Sequence, residues 1–126
     1  DYYNIDDAIY ASCRILQMLS RGDRPLSELV ATVPKYYSTP EIRGETADDA
    51  TKFGIVEKAV EYFKANYDVV DVDGVRILFG DGWGLVRASN TQPVIVMRFE
   101  AKTPERLEEI QGLVTDKLRE FGEIRY

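Results

Sequence analysis

The residues most able to do chemistry lie in a polar stretch between two apolar ones. Arg87 follows the apolar residues Leu85 and Val86, and after Ala88 comes a run of small polar residues: Ser89, Asn90, Thr91 and Gln92. Pro93 then leads into a second apolar segment at 94–97. A polar loop between two strands, with an arginine at its base, is a candidate site for a doubly charged oxyanion.

Each of these side chains offers donors that suit such an anion. A phosphate group carries a charge near −2 and has three strong acceptor oxygens. The Arg87 guanidinium can bind two of them at once, while Ser89, Asn90 and Thr91 add hydroxyl and amide donors. The stretch from Gly84 to Arg98 holds two arginines and no acid, in a chain of net charge −6.

The same residue types are also common in ordinary turns. From the residues alone, an anion site and a plain turn therefore both remain open. Gln92 and Arg98 are candidates for supporting contacts. A hairpin regular about Thr91 would set Arg98 opposite Gly84, on the other face of the sheet from Arg87.

Composition narrows the classes of function. With 126 residues, 44% apolar and 30% charged, the chain is long enough for one folded domain with an appendage. The net charge opposes binding to nucleic acid or to an acidic membrane. The absence of histidine removes the commonest general base and metal ligand. The single Cys13 favours a reducing, cytoplasmic location.

Because the chain opens with Asp1, within what looks like the start of a helix, we expect an excised piece of a longer protein.

The pattern along the chain predicts three parts. Residues 1–34 contain a helix over 6–20 and a shorter one after Pro25, which we interpret as the helical end of a preceding domain. Residues 35–49 show no periodicity and are predicted to be a linker or hinge. Residues 50–126 are predicted to form the domain that carries the polar loop.

Residues 50–126 follow the order helix, four strands, helix. The first helix has one apolar face made of Phe53, Val56, Val60, Phe63 and Tyr67. Asp73-Gly74 predicts a tight hairpin, and the polar loop forms another. The last helix begins at Thr103-Pro104. The fold class is therefore α+β, a four-stranded antiparallel sheet with two helices on one face, as in the TATA-binding protein.

The stretch GDGWGLVRASNTQPVIVMRFEA resembles the phosphate-binding loop of the α-D-phosphohexomutase superfamily, whose members show an Arg-Pro-Ser-Asn-Thr-Glu-Pro type of motif here. The Ser-Asn-Thr core is most similar to the phosphomannomutase/phosphoglucomutase branch. The segments DDAIYASCRIL, YYSTPEIR and DGVRILFGDGW extend the resemblance over nearly the whole chain. Two positions depart from the motif: Ala88 replaces its proline and Gln92 its glutamate.

The resemblance implies a specific role. Enzymes of this family interconvert hexose 1- and 6-phosphates of mannose and glucose through a phosphoserine and a bisphosphate intermediate. They have four domains, of which the second holds Mg²⁺ and the fourth grips the substrate phosphate. The resemblance implies that Arg87, Ser89, Asn90 and Thr91 bind that phosphate. It also implies that domains 1–3 of the same enzyme are the partners of this chain. The sequence has no Ser-His-Asn-Pro, Asp-x-Asp-x-Asp or Gly-Glu-x-Ser-Gly-His motif. We therefore expect no catalytic residue, metal ligand or cofactor site here, and no activity from this chain alone.

Two other classes stay open beside this one. A helix-sheet-helix domain can be a non-enzymatic module that binds anions or nucleic acid, although the chain has no basic stripe. The apolar N-terminal helices could also form the dimer surface of a regulatory or assembly domain.

Overall fold

The computed structural model describes residues 6–126 and divides the chain into two compact units that meet at Lys35 and Tyr36. The first unit holds α1 (Ala8–Arg21) and α2 (Leu26–Val30). Asp7 caps α1 by accepting a hydrogen bond from the Tyr10 amide at 2.8 Å. None of the described residues in this unit is buried, and Ile9 is 79% exposed. That these helices end a preceding domain stays a prediction.

The second unit is built on one six-stranded sheet. Its strands are β1 (Tyr37–Ser38), β2 (Ile42–Glu45), β3 (Asp68–Val70), β4 (Val75–Leu78), β5 (Gly82–Ala88) and β6 (Val94–Ala101). All pairings are antiparallel: β5, β4 and β3 follow on one side of β6, and β1 and β2 both pair with its other side. The predicted α+β class with an antiparallel sheet is confirmed.

The predicted linker over 35–49 is wrong for residues 37–45, because β1 and β2 belong to the sheet. Even Thr39, between them, is bound to β6: its amide donates to the Phe99 carbonyl at 3.0 Å, and its hydroxyl accepts from the Phe99 amide at 3.1 Å. The sheet therefore has six strands instead of four. Strands of two and four residues, separated by Pro40, are too short to show a period of two.

The two long helices cover one face of this sheet. They are α3 (Asp49–Asn66) and α4 (Pro104–Phe121), and the core lies between them and the strands. Side chains alternate along each strand, so that Val75 and Ile77 of β4 are buried under the helices while Arg76 is exposed. The opposite side, called the outer face here, carries Arg76, Leu85, Arg87 and Arg98. No helix within residues 6–126 is both long and apolar enough to span a bilayer.

The buried stripes of the two helices match the sequence unequally. In α4, Ile110, Val114 and Leu118 are buried. Thr103, predicted to begin this helix, caps it by accepting from the Arg106 amide at 3.2 Å. In α3, Phe53 is 52% exposed, which corrects its assignment to the apolar face. The buried side of α3 is rotated relative to the predicted one and includes a lysine. Its buried residues are Lys52, Ile55, Val56, Ala59 and Phe63.

Candidate functional site

The polar loop joins β5 to β6 and is closed by two backbone hydrogen bonds. The Ser89 amide donates to the Val94 carbonyl at 3.0 Å, and the Val94 amide donates to the Gln92 carbonyl at 2.8 Å. Beyond this closure, residues 90–93 form an exposed tip. Because β5 and β6 hold seven cross-strand pairs, the loop stands on the longest hairpin of the sheet.

The strand register corrects the prediction for Arg98. Leu85 is the partner of Arg98, and Val96 is the partner of Arg87. The Ser89–Val94 pair encloses four residues, so the hairpin is not centred on Thr91, and a shift of one residue turns every side chain to the other face. Arg98 therefore lies on the same outer face as Arg87, two residues further from the loop.

Arg87 lies near the end of β5 and beside the β3–β4 hairpin. Its Nη1 lies 3.4 Å from Oδ2 of Asp73, and its side chain is 36% exposed. Asp73 and Gly74 have φ angles of +138° and +88°. A Cβ at Gly74 would stand 2.8 Å from the Arg87 Cα and would collide with the Val86 carbonyl. The Asp-Gly turn predicted from the sequence therefore packs directly against Arg87.

The three small polar residues keep most of their donors available. The Ser89 hydroxyl accepts from the Thr91 amide at 3.3 Å and lies 3.5 Å from the Thr91 hydroxyl. Asn90 is exposed and makes no hydrogen bond with any described residue. Since Ser89 follows Arg87 by two residues, both side chains leave the chain on the outer face, separated by about 6.7 Å of strand. An oxyanion bound between the two side chains would accept charge-assisted hydrogen bonds of about 2.8 Å from both.

Gln92 is turned away from this group. Its Oε1 accepts a hydrogen bond from Nη1 of Arg43, on β2, at 2.8 Å, and Arg43 is also paired with Glu41 at 2.9 Å. A shallow depression of about 610 Å³ lies on this side of the loop, lined by Arg43, Thr46 and Gln92 among others. The structure therefore brings Ser89 and Thr91 into contact and sets Arg87 beside them. Gln92 instead ties the loop to β2.

Lys52 is the residue at the site that the sequence analysis missed. It is 1% exposed, and its ammonium group donates to the carbonyls of Ser89 and Gln92 at 2.7 and 2.9 Å. A third bond, at 2.7 Å, goes to Oδ1 of Asp49. The signal was available, because Lys52 stands three residues before Ile55, on the buried stripe of α3, where a cation is unusual.

The rest of the outer face carries two more arginines, Arg76 and Arg98, of which Arg76 is already engaged by a neighbouring side chain. The Arg76 guanidinium covers the Trp83 ring at 4.3 Å from its centroid, and Trp83 Nε1 donates to Glu100 at 3.2 Å. Arg98 has no ion-pair partner among the described residues.

This arrangement is suited to binding an oxyanion. It combines a guanidinium, two hydroxyl groups and a side-chain amide with backbone amides, all donors that match phosphate oxygens. Within residues 6–126, no three acidic, cysteine or histidine side chains come together as they would around a metal ion. That another domain holds the Mg²⁺ implied by the resemblance stays a prediction.

Comparison with known proteins gives one consistent result. A family model described as "Phosphoglucomutase/phosphomannomutase, C-terminal domain" matches residues 29–117. Among individual proteins, the chain is 43% identical to a phosphomannomutase/phosphoglucomutase of Pseudomonas syringae pv. tomato over 124 residues, covering 96% of this chain and 26% of that protein. It is 38% identical to a phosphoglucomutase of Neisseria meningitidis serogroup B over 113 residues, covering 88% and 24%.

A solved structure agrees with these sequences. The crystal structure of a phosphoglucomutase/phosphomannomutase family protein from Burkholderia thailandensis superposes with a TM-score of 0.75 at 32% identity. The match covers 99% of this chain and 27% of that one. The chain thus spans about a quarter of the length of the relatives it matches.

Proposed function

The chain belongs to the phosphoglucomutase/phosphomannomutase family, as its C-terminal domain, and from this we propose that its polar loop holds the phosphate group of a hexose phosphate substrate. The observation that carries the proposal is the position of Arg87, Ser89, Asn90 and Thr91 on one exposed hairpin end. Among residues 6–126, only Asp73 competes there, through a long ion pair of 3.4 Å.

The loop's role in the reaction is positioning. In the whole enzyme we infer that a phosphoserine gives its phosphoryl group to a hydroxyl of the hexose monophosphate, and that the other phosphoryl group of the resulting bisphosphate returns to the serine. The distant, unreacting phosphate must be held so that the hydroxyl meets the phosphoryl group in line. Arg87 supplies charge and orientation, while Ser89, Asn90 and Thr91 complete the hydrogen bonds.

This chain by itself supplies the phosphate site and not the phosphoryl transfer. With glucose 1-phosphate as substrate, we expect the 126-residue chain to form no glucose 6-phosphate in a coupled assay. Measurable turnover that follows the purified chain through chromatography would overturn this part of the proposal.

The binding role is tested by titrating the ¹⁵N-labelled chain with glucose 1-phosphate, mannose 6-phosphate and inorganic phosphate. We expect amide shifts concentrated at residues 87–92, and no such shifts with unphosphorylated glucose. Arg87→Met is expected to abolish them. Arg76→Met is the matched control, because it removes an arginine of the same outer face that is already stacked on Trp83.

The same titration separates the remaining class of function. If a DNA or RNA oligonucleotide shifts the loop residues while sugar phosphates do not, the domain is a nucleic-acid-binding module and the substrate role is wrong. Shifts with sugar phosphates that persist unchanged in Arg87→Met contradict the assignment of the site.

A further inference from the structure

Lys52 is a buried cation whose hydrogen bonds are all directed at the loop and its own helix. Its three bonds, to Asp49 Oδ1, the Ser89 carbonyl and the Gln92 carbonyl, are between 2.7 and 2.9 Å long and use all three ammonium protons. Removing an ammonium group from water is unfavourable unless it is paired and hydrogen-bonded. Because the ammonium group makes all three of its hydrogen bonds while the residue is 1% exposed, we infer that the loop folds around it.

The two carbonyl bonds fix the direction of the loop's peptide groups. In a planar trans peptide the carbonyl and the following N–H point in opposite directions, and no cis peptide occurs in the described chain. Because the Ser89 carbonyl points at Lys52, the Asn90 amide points away from it, out of the protein. The Ser89 and Thr91 amides are bonded to the Val94 carbonyl and the Ser89 hydroxyl, whereas the Asn90 amide has no partner among the described residues.

We propose that Lys52 is a positioning residue that presets the loop for the anion, holding the Ser89 and Gln92 carbonyls inward so that the Asn90 amide is presented to the phosphate. The inference rests on the proposed phosphate-binding role of the loop. Lys52 does not touch the anion, because its donors are all used on the inner side. It also keeps the negative ends of two carbonyl dipoles away from the bound charge.

The position of Lys52 gives the loop its rigidity. Its two carbonyl contacts are 37 and 40 residues away along the chain, so they tie the start of α3 to both ends of the loop. A loop already in its binding conformation loses less conformational freedom when the ligand arrives. Without Lys52 the Ser89 carbonyl has no other donor among the described residues, whereas the Gln92 carbonyl keeps the Val94 amide, so the Ser89–Asn90 peptide plane is free to rotate.

The test compares Lys52→Met with Lys58→Met, which removes an exposed lysine from the same helix. Affinity for glucose 1-phosphate is read from loop amide shifts of the folded 126-residue chain, and stability is read separately from thermal unfolding. We expect Lys52→Met to bind roughly tenfold more weakly at a temperature where it is fully folded, with Lys58→Met unchanged. A lowered unfolding temperature with unchanged affinity overturns the proposal, because Lys52 would then act only on stability.

Two further measurements keep the inference testable if Lys52→Met does not fold. Asp49→Asn removes the charged partner but leaves both carbonyl bonds, so affinity is expected to stay within about twofold of the parent chain. In the unaltered chain, inorganic phosphate is expected to shift the Asn90 amide more than those of Ser89 and Thr91. A response of the other loop residues without Asn90 contradicts the role of Lys52, while leaving the phosphate site in place. No response anywhere in the loop contradicts the phosphate site itself.

Discussion

Arg87 and Asp73 face each other across neighbouring hairpins, with the guanidinium Nη1 and the carboxylate Oδ2 3.4 Å apart. The separation is longer than the 2.7–2.9 Å of a good charge-assisted hydrogen bond, and 69% of the Asp73 side chain is exposed. Arg87 is therefore oriented by Asp73 without being neutralised by it. A bound phosphate would have to compete only with this weak pair.

Replacing Asp73 with asparagine is expected to tighten phosphate binding. The change releases Arg87 and removes a negative charge from beside the anion. Since exposed ion pairs contribute about 0–1 kcal/mol, the gain is up to about fivefold. Isothermal titration with glucose 1-phosphate measures it. Asp71→Asn is the control, because Asp71 lies in the same turn but pairs with Lys64. Equal gains in both variants would mean that net charge alone is responsible.

Substituting lysine for Arg87 is expected to weaken binding although the charge is kept. Lysine cannot donate two parallel hydrogen bonds from a planar group, and a hydrogen bond to a charged partner contributes about 1.5–3 kcal/mol. The dissociation constant is therefore expected to rise roughly 10- to 100-fold. Amide shift titrations measure it. An Arg87→Lys chain that binds as tightly as its parent contradicts bidentate recognition.

The pH dependence of binding is expected to follow the ligand. The second pKa of a phosphate ester is about 6, so affinity falls as pH decreases from 7 to 5 and the dianion becomes a monoanion. The chain has no histidine, whose ordinary pKa would fall in this window. Sulfate, which stays doubly charged, is the control and is expected to bind equally at both pH values. A parallel loss of sulfate affinity would mean that a group of the chain titrates instead.

Gly74→Ala is expected to disturb both stability and the site. At a φ of +88° a side chain is strained, and here its Cβ would also press on Arg87, so we expect a loss of about 1–3 kcal/mol in the free energy of unfolding. Urea unfolding measures this loss. Gly80→Ala is the matched control, since Gly80 has a φ of +77° but open space around it. Weakened phosphate binding is expected only for Gly74→Ala.

Acid is expected to destabilise the domain through two aspartates. A hydrogen bond from the Thr51 amide lowers the pKa of Asp48 below its ordinary 3.8, and a bond from Lys64 lowers that of Asp71 in the same way. A carboxylate whose pKa is lowered in the folded state stabilises the fold at any pH above its ordinary pKa. This contribution is lost as the pH falls through the folded-state pKa. Asp48→Asn and Asp71→Asn are therefore expected to differ from the parent chain at pH 6 and to approach it below about pH 3.8. A difference that stays constant down to pH 2 contradicts this origin.

The predictions that succeeded depend on local chemistry. The Thr103 cap and the Asp73-Gly74 turn are encoded within a few residues, because caps and tight turns are satisfied by neighbours along the chain. The family resemblance likewise depends on a contiguous stretch of residues around Arg87. The roles of Ser89, Asn90 and Thr91 in binding stay predictions that the titrations above test.

The predictions that failed depend on pairing between distant segments. β1 and β2 resemble a linker in sequence because each is short, and they become strands only by hydrogen bonding to β6, 49 to 64 residues later. Arg98 was assigned to the wrong face because the register depends on how the loop closes, which its composition does not specify.

The sequence by itself determined the α+β class, the family and the polar loop, since hydrophobic periodicity, turn residues and a motif are properties of contiguous stretches. Only the tertiary structure decided which charges meet at that loop. Asp73 reaches Arg87, Arg43 reaches Gln92, and Lys52 reaches the carbonyls beneath the loop. These contacts join elements that are far apart in the chain, and the packing of α3 and the sheet register create them.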